Sequence, residues 1–186
     1  MMNNDPTAFI ARRLREERLK RQWTLEDFAR HSGVSKAMLS KLERGEASPT
    51  AVLLGRISGA LKVSIGSLVS EPAPAAGRVV RRDEQPVWRD PKSRYVRRQV
   101  SPLGDLPMQL VEVELPPRAH VEYPASSYTF IRQLIWVLSG ELEFSEGDRA
   151  HRLAAGDCLE LGPPADCRYR NPGPATCRYA VVLAAR

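Results

Sequence analysis

The sequence predicts two domains: an all-α bundle of five short helices, followed by an all-β barrel of jelly-roll type. Three observations carry that expectation. Of the 15 prolines only Pro6 and Pro49 precede Ser70, so a helical part gives way to a turn-rich one. Up to Ser70 the apolar residues recur at helical spacing, and from Arg78 they fall in short alternating runs between turn signals. The charge is uneven too: twelve Lys and Arg stand against seven Asp and Glu up to Ser70, and sixteen against fifteen after it.

A chain of 186 residues with 42% hydrophobic content can bury two cores. No apolar run reaches the length needed to cross a bilayer, and the opening MMNNDPTAF lacks the apolar stretch of a secretion signal, so a cytoplasmic protein with no membrane partner is expected. Cys158, Cys167 and Cys177 form no CxxC pair and read as reduced thiols, neither a disulfide framework nor a zinc site. The basic front half suits a polyanion, because neutralising phosphates releases condensed counterions.

In the first domain, residues 8–70, Ile10 and Leu14 mark a first helix over 8–21. Thr24 starts a second, with Asp27 completing a capping box, and Gly33 stops it. Ser35 caps a third helix over 36–44 that bears Leu39 and Leu42 and ends at Gly45. Ser48 and Pro49 read as N-cap and first-turn proline of a fourth, carrying Leu53, Ile57, Ala60 and Leu61, and Ser64 caps a short fifth through Leu68. The stretch EPAPAAG, residues 71–77, reads as a linker, and residues 78–186 form the second domain.

The spacing from Leu25 to Leu42 is that of two helices crossing at a three-residue turn. Such a turn needs a small residue at the crossing, one tolerant of positive φ, and apolar anchors on the second helix. Ala29, Gly33, Val34, Leu39 and Leu42 fill those places. Burying the anchors leaves Ser35, Lys36, Ala37, Ser40, Lys41 and Arg44 outward, on the face that a helix–turn–helix lays in the major groove of DNA. Lys36 and Lys41 can reach guanine edges or phosphate, Ser40 a base edge or sugar, and Arg44 phosphate; the alternative is a solvated basic face. His31 reads as a cation at the end of the second helix.

The block VSKAMLSKLERGEASPTAVLLGRISGALKVSIGSLV resembles the helix–turn–helix domains of the lambda-repressor or Xre class. The resemblance implies an ion pair between Arg18 and Glu43. It departs from the family at Leu25, where a phosphate-holding Gln is usual.

In the second domain QLVEVEL, TFIRQLIWVL, ELEF, DCLEL and CRYAVVLA read as strands, with turns at Ser139–Gly140, Gly147–Asp148, Gly156–Asp157 and 171–173. VLSGELEF, LAAGD and YRNPG resemble the cupin family. Metal-binding cupins place two His and a Glu in the first motif and a His in the second. Here SSYT at 126–129 replaces the two His, Gln133 the Glu and Cys167 the last His. No metal or other cofactor is expected from that donor set, and no catalytic residue is assigned. His120 and His151 fall off the ligand positions and read as surface or loop residues.

A polar-lined cavity remains, with Tyr128, Thr129, Gln133 and Cys167 as its expected lining; the alternative is a solid barrel serving dimerisation. The combination resembles bacterial one-component transcriptional regulators. It implies a homodimer on a near-palindromic double-stranded DNA site, with a small-molecule effector in the barrel and no enzymatic activity. The other readings are a cupin enzyme with a DNA-binding leader, and a regulator that responds to redox state through Cys167.

Overall fold

A computed structural model describes residues 6–70, 79–102 and 107–185, so the linker expected at 71–77 lies outside the described residues. Five helices come first: α1 (Thr7–Lys20), α2 (Leu25–Ser32), α3 (Lys36–Glu43), α4 (Ala51–Leu61) and α5 (Ile65–Val69). Strands β1 (Val87–Arg89), β2 (Val96–Gln99), β3 (Met108–Leu115) and β4 (His120–Tyr123) lead to a 3₁₀ turn at Ala125–Tyr128. After it come β5 (Ile131–Ser139), β6 (Glu141–Glu146), β7 (Arg149–Ala154), β8 (Cys158–Glu160), β9 (Cys167–Arg170) and β10 (Cys177–Ala185).

The helix ends follow local chemistry. Thr24 accepts from the Asp27 amide, and Asp27 in turn accepts from the Thr24 amide, closing the capping box. Gly33 ends α2 at φ 64°, with open space around the position a Cβ would take, so it is the backbone angle that calls for glycine there. Ser35 caps α3 through the Met38 amide, 3.3 Å away.

One boundary differs from the sequence expectation. The N-cap of α4 is Thr50, accepting from the Leu53 amide, while Ser48 and Pro49 precede the helix. The Ser48 hydroxyl is hydrogen-bonded to Thr7 instead, and a further acceptor comes from outside the bundle. Asp90, which follows β1, accepts from the Ala51 amide at 3.0 Å, so a carboxylate from the β-domain supplies the first turn of α4 with an acceptor.

The strands form two facing antiparallel sheets rather than one closed cylinder, ordered β1-β2-β3-β10-β5-β8 and β4-β9-β6-β7. Alternation sets the faces: along β5, Gln133, Ile135 and Val137 point in while Arg132, Leu134 and Trp136 point out. On β10, Cys177, Tyr179, Val181 and Leu183 are likewise buried. Phe144, Leu115 and Ile135 are among the largest fully buried side chains between the sheets, as Phe28, Leu14, Leu39 and Leu54 are in the bundle.

The bundle and the sheets meet along α4. At Gly55 a Cβ would lie 2.5 Å from the Tyr123 ring, and at Gly59 it would lie 2.8 Å from the Ser126 backbone. Ser127 Oγ donates to the Gly55 carbonyl at 2.8 Å, and Ser64 Oγ donates to Gln109 Oε1 at 3.1 Å. Small residues on α4 therefore let its backbone lie directly on the 3₁₀ turn, and every polar group named at that seam has a partner.

Candidate nucleic-acid interface and barrel cavity

The outward face of α3 is built on buried anchors. Leu39 and Leu42 are buried, Val34 is buried in the turn, and Ala29 packs on the same core from α2. Ser35, Lys36, Ala37, Lys41 and Arg44 are exposed and Ser40 is half-buried, so the six residues named from the sequence share the outer side of one helix and its cap. Lys36 Nζ pairs with Glu26 Oε2 at 2.9 Å, and Arg44 pairs with Glu46 and also reaches Ser40 Oγ. These pairs are solvent-exposed and individually weak. The Lys41 ammonium has no hydrogen bond or ion pair among the described residues.

Behind this face the helix is held by a forked bond. Arg18 Nε and Nη2 donate to the two Glu43 oxygens at 2.7 and 2.8 Å, and Nη1 donates to the Trp23 carbonyl at 2.8 Å. The carboxylate beside it raises the Arg18 guanidinium further above its already high range. His31 lies against the Trp23 indole, ring centroids 4.3 Å apart, at the last turn of α2.

Between the two sheets lies a cavity of about 60 Å³. All five tyrosines of the chain line it: Tyr95, Tyr123, Tyr128, Tyr169 and Tyr179. Gln133 Nε2 donates to the Tyr169 hydroxyl at 2.6 Å, and the Tyr128 and Tyr169 hydroxyls lie 3.4 Å apart. Burial pushes all five phenols above their usual range, so they act as neutral donors and acceptors at physiological pH. Ser58, Ser64 and Ile65 close the cavity from above, and these belong to α4 and the start of α5.

Of the four cavity residues named from sequence, Tyr128 and Gln133 line it. Thr129 stands outside the lining: it is exposed, at the end of the 3₁₀ turn, and its hydroxyl donates to the Ser126 carbonyl at 3.1 Å. Cys167 is buried, off the lining, with its thiol directed at the Ala165 carbonyl. Five residues that sequence reasoning missed matter here: Tyr95, Arg97, Tyr123, Tyr169 and Tyr179. Arg97 lies on β2, facing in, and it is 6% exposed. Nothing in VRRQ tells which of two adjacent arginines turns inward.

The cupin fold raises the question of a metal, and the donors here do not fit one. The Gln133 amide is committed to Tyr169, and burial pushes the Cys167 thiol up to about 11, keeping it protonated at neutral pH. Among the described residues no group of three or more His, Cys, Asp or Glu side chains converges.

Comparison with known proteins agrees with this architecture. Residues 14–68 match the helix-turn-helix family HTH_3, and residues 111–183 match the cupin domain family. The chain thus carries an N-terminal helix-turn-helix domain of Xre type and a C-terminal cupin domain. It is 26% identical over 176 residues, 94% of each chain, to the HTH-type transcriptional regulator SutR of Escherichia coli (strain K12). It also superposes on a crystal structure of an HTH_3 family transcriptional regulator from Vibrio cholerae with a TM-score of 0.79, at 23% identity over 96% of both chains, which shows that the two share a fold. Among the described residues no helix is long and apolar enough to cross a membrane.

Proposed function

We propose that this protein is a sequence-specific, non-enzymatic transcriptional regulator in the cytoplasm that binds double-stranded DNA as a homodimer and takes a small-molecule effector in its β-domain. The observation that carries the reading is the double role of the bundle. Its α3 presents a basic face to solvent, and its α4 and α5 form the lid of the cavity. A ligand that fits the cavity better in one placement of those helices than in another shifts the balance between placements, and with it operator affinity.

Two copies would set their α3 helices about 34 Å apart, one turn of DNA, on a near-palindromic operator. The outer face of the six-stranded sheet supports pairing: Met108, Leu110, Leu134 and Trp136 are exposed there, and register places Leu110, Val182 and Leu134 side by side.

The competing readings have less behind them. An enzyme using a cupin metal lacks the ligands. A redox regulator built on Cys167 lacks a reactive thiolate, since burial raises both the Cys167 and Cys177 thiols to about 11. With an aromatic disulfide reagent at pH 8, the folded protein should show one fast thiol, the exposed Cys158, and the other two only after denaturation.

The functional reading is tested by selecting binding sequences from random duplex DNA and titrating them against nonspecific competitor. Saturable binding to a near-palindromic site that survives competitor is the expected result. Enrichment of no sequence, with binding lost at modest salt, would reduce α3 to a solvated basic face.

A further inference from the structure

The cavity holds a charge without a counter-ion. Arg97 is 6% exposed, lines the cavity, and its Nε and Nη2 have no hydrogen-bond partner. These two nitrogens share one edge of the guanidinium, where their N–H bonds run parallel, which is the edge that grips a carboxylate at both oxygens. Every other side chain lining the cavity is apolar, a hydroxyl, a phenol or an amide. The buried carboxylate of this region, Asp90, is spent elsewhere, on the amides of Ala51 and Ser93 and on the Ser93 hydroxyl. A buried unpaired guanidinium opposes folding, so its presence in the cavity calls for a partner that arrives from outside.

We infer that the ligand of this cavity is a small organic anion, a carboxylate of a few carbons, whose two oxygens seat on the Nε–Nη2 edge of Arg97 while its apolar end meets the tyrosine rings. The inference rests on the reading of the cavity as the effector site. Size sets the class: about 60 Å³ admits a short chain and excludes a nucleotide or a sugar phosphate unless the lid moves. The lid is where occupancy would be felt. A Cβ at Gly66 of α5 would lie 2.8 Å from Gln99 Oε1, 3.0 Å from Gln109 Oε1 and 3.3 Å from Arg97 Nη2, so α5 lies directly over the guanidinium and its neighbours.

The experiment is thermal unfolding of the full chain titrated with sodium propionate, and separately with propionamide, which has nearly the same shape and no charge, at constant ionic strength. Propionate should raise the melting temperature with the logarithm of its concentration, by roughly 5 °C at a hundredfold excess over Kd, and propionamide should not. Arg97→Met should melt higher than the wild type without ligand, because the uncompensated charge is gone, and should lose the response to propionate. Equal responses to propionate and propionamide, no response to either, or a full propionate response in Arg97→Met would overturn the assignment. The wild-type comparison decides the matter even if the variant does not fold.

Operator binding in the same solutions separates this inference from the effector reading beneath it. A propionate response that depends on Arg97, with operator affinity unchanged, keeps the anion site and removes the effector role. Operator affinity that responds to a neutral compound and to no carboxylate keeps the effector role and overturns the anion site.

Discussion

The two sides of the helical bundle treat polar groups in opposite ways. Toward solvent, α3 displays Lys36 and Arg44 in exposed ion pairs that water already weakens, and Lys41 with no ion pair among the described residues. Toward the sheets, α4 displays Gly55, Ser58 and Gly59, and its backbone takes partners from Asp90 and Ser127 across the seam. The difference separates what can be altered cheaply from what cannot. Side chains on the outward face of α3 carry little of the fold, whereas those on the seam are small or fully bonded, so substitutions on the two sides should have effects of different kind.

The largest loss of stability is expected at Asp90. Asp90→Ala removes the acceptor for the Ala51 amide and for Ser93, which should cost about 2–3 kcal/mol in chemical denaturation. A change within experimental error would mean that the β-domain does not hold α4.

Gly59→Ala tests the same seam by sign. In a free helix the change should stabilise by about 1 kcal/mol, but here the new methyl meets the Ser126 backbone, which cannot step aside. A net loss of about 1–2 kcal/mol is therefore expected, and a gain would show that the two parts are only tethered.

A third comparison uses pH. Burial by itself would raise the Glu17 carboxyl, but hydrogen bonds from Arg21 and Lys20 and the nearby Arg13 charge outweigh it and hold the carboxyl below the usual range. A depressed folded-state value contributes stability above the unfolded value near 4.5, and that contribution fades as pH falls through the folded value. Glu17→Gln should melt below the wild type at pH 7, and the gap should close as the pH is brought to 3. A gap independent of pH would point to packing instead of charge.

On the reading face the effect on folding is the smallest. Lys41→Ala should change stability by no more than about 0.5 kcal/mol while weakening operator binding. Losses that differ between operator variants would assign Lys41 to a base, and uniform losses would assign it to phosphate.

The same contrast explains what the sequence could reveal. The helix–turn–helix is a local device, and Thr24, Gly33, Ser35, Leu39 and Leu42 announce it within twenty residues because caps, turn and anchors all act at short range. The start of α4 lies two residues beyond the one expected from Ser48 and Pro49, because Thr50 supplies the cap and the Ser48 hydroxyl is hydrogen-bonded to Thr7; the added acceptor from Asp90, nearly forty positions away, has no local signal. The cavity was legible only where a family pattern pointed, at Tyr128 and Gln133. The other tyrosines and Arg97 sit on β2, β4, β9 and β10 or just beside them, and only strand register brings them together. Thr129 and Cys167 share that origin: Thr129 is exposed at the end of the 3₁₀ turn, and Cys167, on the same inward face of β9 as Tyr169, is buried beyond the cavity's lining.

The claim that most of this rests on is that the reading helix and the cavity belong to one mechanical unit joined through α4. Thermal unfolding of a Trp23→Phe variant, followed at once by far-ultraviolet circular dichroism, dominated by the helices, and by near-ultraviolet dichroism, which then reports mainly the β-domain aromatics around Trp88 and Tyr95, tests it without operator or ligand. One transition, with the two curves superimposed, is the expected result. Loss of the helical signal at a lower temperature, with the aromatic signal intact, would contradict it.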